Sequence, residues 1–243
     1  MPVSTWVEVD LDRFAANLRA IRAWVGEGPE LLLVAKADGY GHGAREVAAA
    51  AERHGVTQIG VATLHEGLQL RMAGCRLPIM AMSPLLPDEI PDAVAGGIDP
   101  TVADLGFARL LSQESQRTGR AVRCHIEVDT GMGRIGVPEA QAFEFVREVS
   151  ALPGLRLVSV YTHFPDADVE DLSYAHAQVE RFRALLARLA AAGIAPPRVH
   201  ASNSAGIVNL PEAHFDWVRA GFIAYGVQPA HARTTMPLAP VMS

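Results

Sequence analysis

Eight short apolar runs, each parted from the next by a longer amphipathic stretch, leave this chain few architectures to choose from. The runs fall at 31–36, 58–62, 78–82, 97–101, 122–128, 155–162, 198–201 and, more weakly, around Val218. Each is short for a helix and reads as a strand buried on both faces. Helical spacing fills the gaps at 44–54, 64–73, 88–95, 104–118, 138–151 and 174–192. A further helix runs from Leu11 to about Trp24, where Asp10 can cap it and Phe14, Leu18 and Ile21 share one face. Gly55, Gly74, Gly119 and Gly193 stop several of these stretches, as glycine readily takes the left-handed turn that ends a helix. Alternation of this kind in one domain-sized chain predicts an α/β fold, a parallel (β/α)8 barrel of the TIM type. An open doubly wound sheet shares the alternation, but no GxGxxG turn follows the first strand. In the stretch 174–192, Val179, Phe182, Leu186 and Leu189 repeat at helical spacing, and nothing beyond packing on a sheet is expected of it.

The balance of residues narrows the functional classes. At 49% hydrophobic and 20% charged, the 243 residues can bury a core. A net charge of −6 disfavours a nucleic-acid partner. No apolar run approaches membrane-spanning length, and the first residues lack a basic stretch followed by an apolar one, so a cytoplasmic protein with no membrane partner is expected. Cys75 and Cys124 stand far apart with no CxxC spacing and read as small buried hydrophobes. The histidines form no metal-ligand spacing, so no metal is expected.

The chemistry-bearing residues gather at strand ends. Lys36 follows the apolar run Leu31-Leu32-Leu33-Val34-Ala35 and precedes a glycine-punctuated turn carrying Tyr40 and His42. A lysine at the mouth of a buried strand is expected to be poorly solvated, which favours the neutral amine that imine chemistry needs. The plainer alternative is a snorkelling lysine that ends an ordinary strand. Asp129 to Arg134, Thr162 to Phe164, Ala201 to Ser204 and Arg219 to Gly221 each follow another strand. A parallel barrel puts all of these ends on one face. One lysine, two arginines, a histidine and a Gly/Ser-rich anion cradle suit a phosphorylated carbonyl cofactor.

The segments VAKADGYGHG, VDTGMGRIG, YTHF, ASNSAG and VRAGFIAYG occur in this order from Val34 onward. Together they resemble the bacterial alanine racemases, pyridoxal-phosphate enzymes of fold type III with an N-terminal barrel and a C-terminal β-domain. The likeness runs from about residue 5 to about residue 240. It implies that Lys36 forms the aldimine with pyridoxal 5'-phosphate and acts as one of two acid/base groups. It implies that Tyr40, Ser204, Gly221 and Phe222 hold the phosphate, the last two through backbone N–H groups, with Asn203 lining the same cradle. Arg134 would reach toward the cofactor phenolate and the substrate, and His163 would lie against the ring and support Arg219. Arg219 would face the ring nitrogen and, as arginine keeps its proton, leave that nitrogen unprotonated.

The implied reaction interconverts L-alanine and D-alanine by moving the Cα proton, supplying D-alanine for peptidoglycan, in a homodimer whose partner subunit lends a tyrosine to the opposite face. Many members of the family carry a carbamate-modified lysine where this chain has Glu127. Glutamate there is expected to supply the same negative charge and pair with Arg134. The implied division places a segment at 1–10 that joins the β-domain, the cofactor-binding barrel at 11–230, and a linker toward that domain at 231–243. Alternatives sharing the motifs are a broad-specificity amino-acid racemase and a non-catalytic pyridoxal-phosphate-binding single barrel.

Overall fold

The computed structural model describes residues 5–243, and at its centre eight parallel strands close into a ring. Around the ring stand β1 (Glu30–Val34), β2 (Val56–Val61), β3 (Ile79–Pro84), β4 (Ile98–Val102) and β5 (Val122–Asp129), with β6 (Val137–Pro138) laid beside the end of β5. Then come β7 (Leu155–Tyr161), β8 (Arg198–His200) and β9 (Trp217–Ala220), and β9 pairs back onto β1 with Leu32 opposite Arg219. The expected (β/α)8 barrel is therefore the fold.

The helices are α1 (Leu11–Val25), the five-residue α2 (Lys36–Tyr40), α3 (Ala44–Arg53), α4 (Leu64–Met72), α5 (Ile90–Gly96), α6 (Leu105–Thr118), α7 (Glu139–Ala151), α8 (Ser173–Ala191) and α9 (Ser204–Asn209). Asp10 caps α1 as expected, accepting from the amides of Asp12 and Arg13 at 3.0 and 2.9 Å. Neither α2 nor α9 is legible in the sequence, because five or six residues hold too little periodicity to read.

Strand alternation sorts the side chains into two layers. On β5, Cys124, Ile126 and Val128 face outward into a buried cluster with Val146, Val179 and Phe182 of the surrounding helices. Each such side chain contributes roughly 1.5–3 kcal/mol on burial. The intervening His125 and Glu127 face the barrel interior, where they meet Ser159 and Tyr161 of β7. The interior is thus divided: Leu32, Val34, Met80, Val158 and Trp217 form an apolar side, and β4, β5, β7, β8 and β9 bring polar groups to the other. Cys75 and Cys124 are both buried and free.

Residues 231–243 lie against the barrel. Asn17, fully buried on α1, donates to the Ala224 and Ala239 carbonyls at 3.1 and 2.9 Å and accepts from the Ala239 amide at 2.9 Å. Gly226 is packed so closely that an added Cβ would run into the Ala239 carbonyl. Val9 and Met242 then form an antiparallel bridge. Trp6 and Val7, just before it, are 70% and 62% exposed. The segment expected at 1–10 falls partly on residues 1–4, which lie outside the described residues. Among the described residues no helix is long and apolar enough to cross a membrane.

Candidate cofactor site at the barrel mouth

Lys36 begins α2, not the end of a strand. β1 stops at Val34, and the chain then turns left-handed through Ala37, Asp38, Gly39 and Tyr40 (φ 50, 52, 62 and 54°). Only Gly39 takes that conformation without penalty; at the other three it costs about 1–2 kcal/mol per residue. Gly39 is also required by space, since a Cβ there would sit 2.9 Å from the Val47 side chain. Backbone bonds from Gly39 to Ala35 and from Gly41 to Ala37 close the turn at 3.0 and 2.9 Å. The turn lifts Lys36 clear of the strand, so it is exposed, which corrects the expectation of a poorly solvated ammonium. Its reach is across the mouth, with Nζ 5.9 Å from the centre of the Tyr40 ring.

Tyr40, Ser204 and Gly221 come together at the mouth. The Gly221 amide donates to Ser204 Oγ at 3.1 Å. A Cβ at Gly221 would come within 3.0 Å of the Tyr40 hydroxyl and 3.2 Å of Ser204 Oγ, so both hydroxyls converge on one glycine-sized space. Gly221 leads into the 3-10 turn Phe222–Tyr225. Tyr225 packs on Tyr40 and His42, with ring centres 5.1 and 4.6 Å apart, and donates to the Val34 carbonyl at 3.0 Å. His42 is held by the Gly39 and Tyr40 carbonyls near its Nδ1 and serves the turn itself. Asn203 stands behind the cradle: its oxygen caps α9 at the Gly206 amide (2.9 Å) and its nitrogen ties to the Phe164 carbonyl (3.0 Å).

Arg219, 1% exposed, is the centre of a polar column. It donates to the Thr162 and Ala201 carbonyls at 2.9 and 2.8 Å, and to Nδ1 of both His200 (2.9 Å) and His163 (3.1 Å). Burial lowers its pKa to about 10, which leaves it charged at neutral pH. Arginine only donates, so the His200 Nδ1 facing Nη1 accepts and that imidazole carries its proton on Nε2, whereas Nη2 shares two protons among three acceptors. His200 Nε2 then donates to Ser159 Oγ at 2.9 Å, and Ser159 donates onward to His125 Nδ1 at 2.7 Å. His125 Nε2 faces Asp99 at 3.7 Å. One arginine thereby sets the tautomers along a chain that crosses the barrel interior. Burial, with the Arg219, Arg134 and Lys36 charges, pulls His163 down to about 3, so it is neutral at working pH.

Glu127 departs from expectation. Its partner is the Tyr161 hydroxyl, which donates to it at 2.8 Å, and no Glu127–Arg134 ion pair forms among the described residues. Arg134 sits exposed on the turn that Asp129 organises by accepting from the Gly131 and Gly133 amides. Glu127 points inward from the strand before that turn, so the two side chains diverge. Burial pushes the Glu127 carboxyl up to about 7 against the favourable Tyr161 hydrogen bond and the Arg219 and Arg134 charges.

A carboxyl whose folded pKa is raised binds its proton more tightly when folded. Stability therefore falls as pH rises from about 4.5 through about 7. At about 1.4 kcal/mol per unit, the loss is on the order of 3 kcal/mol above that window. Glu127→Gln is accordingly expected to raise the unfolding free energy by about 2–3 kcal/mol at pH 8 and to leave it nearly unchanged at pH 4. Urea denaturation at the two pH values checks this, and equal effects at both would contradict it.

Sequence reasoning missed four supports. Tyr161 and His200, stacked with centres 4.6 Å apart, hold Glu127 and Arg219. The alternation Arg123, His125, Glu127, Asp129 along β5 signalled a polar inner face, although nothing local said which groups it would meet. Helix α8 does more than pack: Gln178 donates to Thr130 Oγ1 and the His163 carbonyl, both at 3.2 Å, and Arg181 donates to the Thr130 carbonyl at 2.8 Å. It thus pins the two loops that carry Arg134 and His163. Composition carried a further sign: Lys36 is the only lysine in 243 residues, against 20 arginines.

A parallel barrel with one lysine, a hydroxyl-lined glycine cradle and a buried arginine at its mouth belongs to the class of barrels built to hold a phosphorylated cofactor. The family model for the alanine racemase N-terminal domain matches residues 9–229, and the chain belongs to that family, whose cofactor is pyridoxal phosphate. An alanine racemase of Symbiobacterium thermophilum is 42% identical over 226 residues, covering 93% of this chain and 60% of that protein. One from Desulfosudis oleivorans is 38% identical over 251 residues, covering 99% and 64%. Among solved structures, alanine racemase from Clostridium difficile 630 in complex with cycloserine superposes with a TM-score of 0.96 at 32% identity, over 100% of this chain and 67% of that one. The chain thus spans about 60% of the length of the first relative it matches.

The residues present fit the family's cofactor. The space at Gly221, bounded by two hydroxyls, would be filled by any side chain, and the Lys36, Arg134 and Arg219 charges all act on His163, a field that favours an anion.

Proposed function

We propose that this chain is the cofactor-binding barrel of an alanine racemase, a cytoplasmic homodimer that supplies D-alanine for peptidoglycan. The observation that carries the reading is the convergence of the sole lysine, Lys36, with the Tyr40–Ser204–Gly221 cradle at one end of the barrel.

Pyridoxal phosphate, when bound, supplies an aldehyde for covalent attachment to an amine and a ring that withdraws electrons from the substrate Cα–H bond. Tyr40, Ser204, Gly221 and Phe222 would hold its phosphate, with Asn203, which caps α9, behind them. Lys36 would provide the attaching amine and a proton-carrying Nζ on one face of the substrate Cα. Arg219 keeps its own proton and presents a fixed positive charge, oriented by the Thr162 and Ala201 carbonyls. His163, neutral, braces Arg219 through its Nδ1. Arg134 lies exposed at the mouth, able to swing onto a phenolate or carboxylate. A tyrosine of the partner subunit serves the opposite face.

The test is to incubate the purified chain with pyridoxal phosphate, reduce with borohydride and map the modified peptide. Pyridoxyl label on Lys36, and solvent deuterium entering Cα of one alanine enantiomer in D2O, is the expected result. No label on Lys36 would overturn the reading.

A further inference from the structure

We infer that Glu66, on α4, is a positioning residue for Lys36: its carboxylate holds the left-handed turn that places the lysine beside the phosphate cradle. The inference rests on the reading of Lys36 given above. Three backbone amides donate to this one carboxylate. Oε1 accepts from Ala37, the residue after the lysine, at 2.7 Å. Oε2 accepts from Ala62 at 2.7 Å and Thr63 at 3.2 Å, where β2 gives way to α4. Thr63 Oγ1 in turn accepts from the Glu66 amide at 3.3 Å, completing a capping box.

A capping box needs only the Ala62–Thr63 side of this arrangement. The bond to Ala37 spans 29 residues to the neighbouring strand's exit and does nothing for α4. Its effect falls on the turn. Ala37 is the first of three non-glycine residues with φ near 50°. An L-residue leaves that region unless its surroundings hold it. The Ala37 amide has Glu66 as its acceptor, while Asp38 grips the far end of the turn through the Ala44 amide at 2.7 Å. With both ends fixed, Lys36 and Tyr40 stand at a set separation on one rigid turn. Without the Ala37 bond, the end that carries the lysine is the end released.

Charge matters as well as shape. Three N–H groups point at two oxygens, so the acceptor must accept at both ends, as only an ionised carboxylate does. Glutamine keeps the length but turns one end into a donor facing an N–H. Glu66→Gln therefore breaks the clamp with little change in volume, and Thr63→Ala breaks the other half of the capping box without touching Ala37.

The experiment compares the full chain with these two variants by three readouts: melting temperature, hydrogen exchange of the Ala37 amide without cofactor, and the pyridoxal-phosphate concentration needed for half-maximal borohydride-trapped label on Lys36. Thr63→Ala is expected to lower the melting temperature while Ala37 protection and cofactor affinity stay near those of the parent. Glu66→Gln is expected to lose Ala37 protection and to weaken cofactor attachment by about 10-fold or more, the size of one or two hydrogen bonds to a charged group. Attachment and Ala37 protection unchanged in Glu66→Gln would overturn the inference, as would losses no larger than those of an equally destabilised Thr63→Ala. If the parent chain itself took no label on Lys36, the cofactor reading would fail and this one with it. Labelled parent with indifferent Glu66→Gln would remove only the positioning role.

Discussion

Lys36→Ala will take no pyridoxyl label and will exchange the alanine Cα proton in D2O at least about 10³-fold more slowly than the parent chain, because on the proposed reading one residue carries two roles. It would be the attaching amine and the proton carrier of one face, and a positioned acid/base alone is worth about 10²–10⁴ in rate. No other residue can substitute. The remaining 20 cations of the chain are arginines, whose guanidinium neither attacks a carbonyl nor gives up its proton at neutral pH. Lys36→Arg should fail nearly as badly while keeping the charge, which separates the nucleophile from the field it creates. The fold should not suffer, since Lys36 is exposed and makes no ion pair among the described residues. The check is a thermal melt beside the labelling and the deuterium-exchange assay. A variant that melts normally yet keeps a tenth of the activity would remove Lys36 from the chemistry.

Arg219→Met should damage both fold and site. The arginine is wholly enclosed, and its loss strands the Thr162 and Ala201 carbonyls and the Nδ1 atoms of His163 and His200. Unsatisfied buried acceptors cost about 1–3 kcal/mol each, and relaxation recovers part of that, so a loss of about 3–5 kcal/mol is expected. The sharper consequence is chemical. With the donor gone, nothing compels His200 to accept at Nδ1, and nitrogen NMR should show the His200 tautomer no longer held as the Nε2–H form. The His163 pKa should also rise from about 3, since the Arg219 charge is one of the causes that depress it after burial. Arg219→Lys keeps the charge but not the two-armed fork, and should retain the low His163 pKa while losing tautomer order. If Arg219→Met left the His163 titration where it was, burial alone would govern that histidine.

How legible these features were depended on how far each signal reaches along the chain. The barrel was readable because its signal is local and repeated: apolar runs, amphipathic gaps and glycine stops each follow from a few neighbouring residues. Lys36, Tyr40, Ser204 and Gly221 were readable for the same reason, since each follows a strand, and parallel strands put their exits on one face; Arg219, expected after the last strand, lies within it. The left-handed turn was not, because Ala37 and Asp38 carry no preference for positive φ and adopt it only when Glu66 and Ala44, from other elements, hold the turn. Glu127 was misread as the partner of Arg134 because sequence proximity suggested a pair. The pleat turns one side chain into the barrel and leaves the other on the exposed loop.

The sequence by itself determined the eight strands of the barrel, the single lysine and the order in which its candidate groups meet the mouth. The tertiary structure alone decided who touches whom across the interior. The run from Arg219 through His200, Ser159 and His125 toward Asp99 draws on five strands, and its direction follows from one donor-only guanidinium. Burial, which sets the charge state of Glu127 and His163, is likewise a property of the closed barrel. A chain encodes which residues alternate in and out, but the dielectric and the partners they find exist only once the ring has closed.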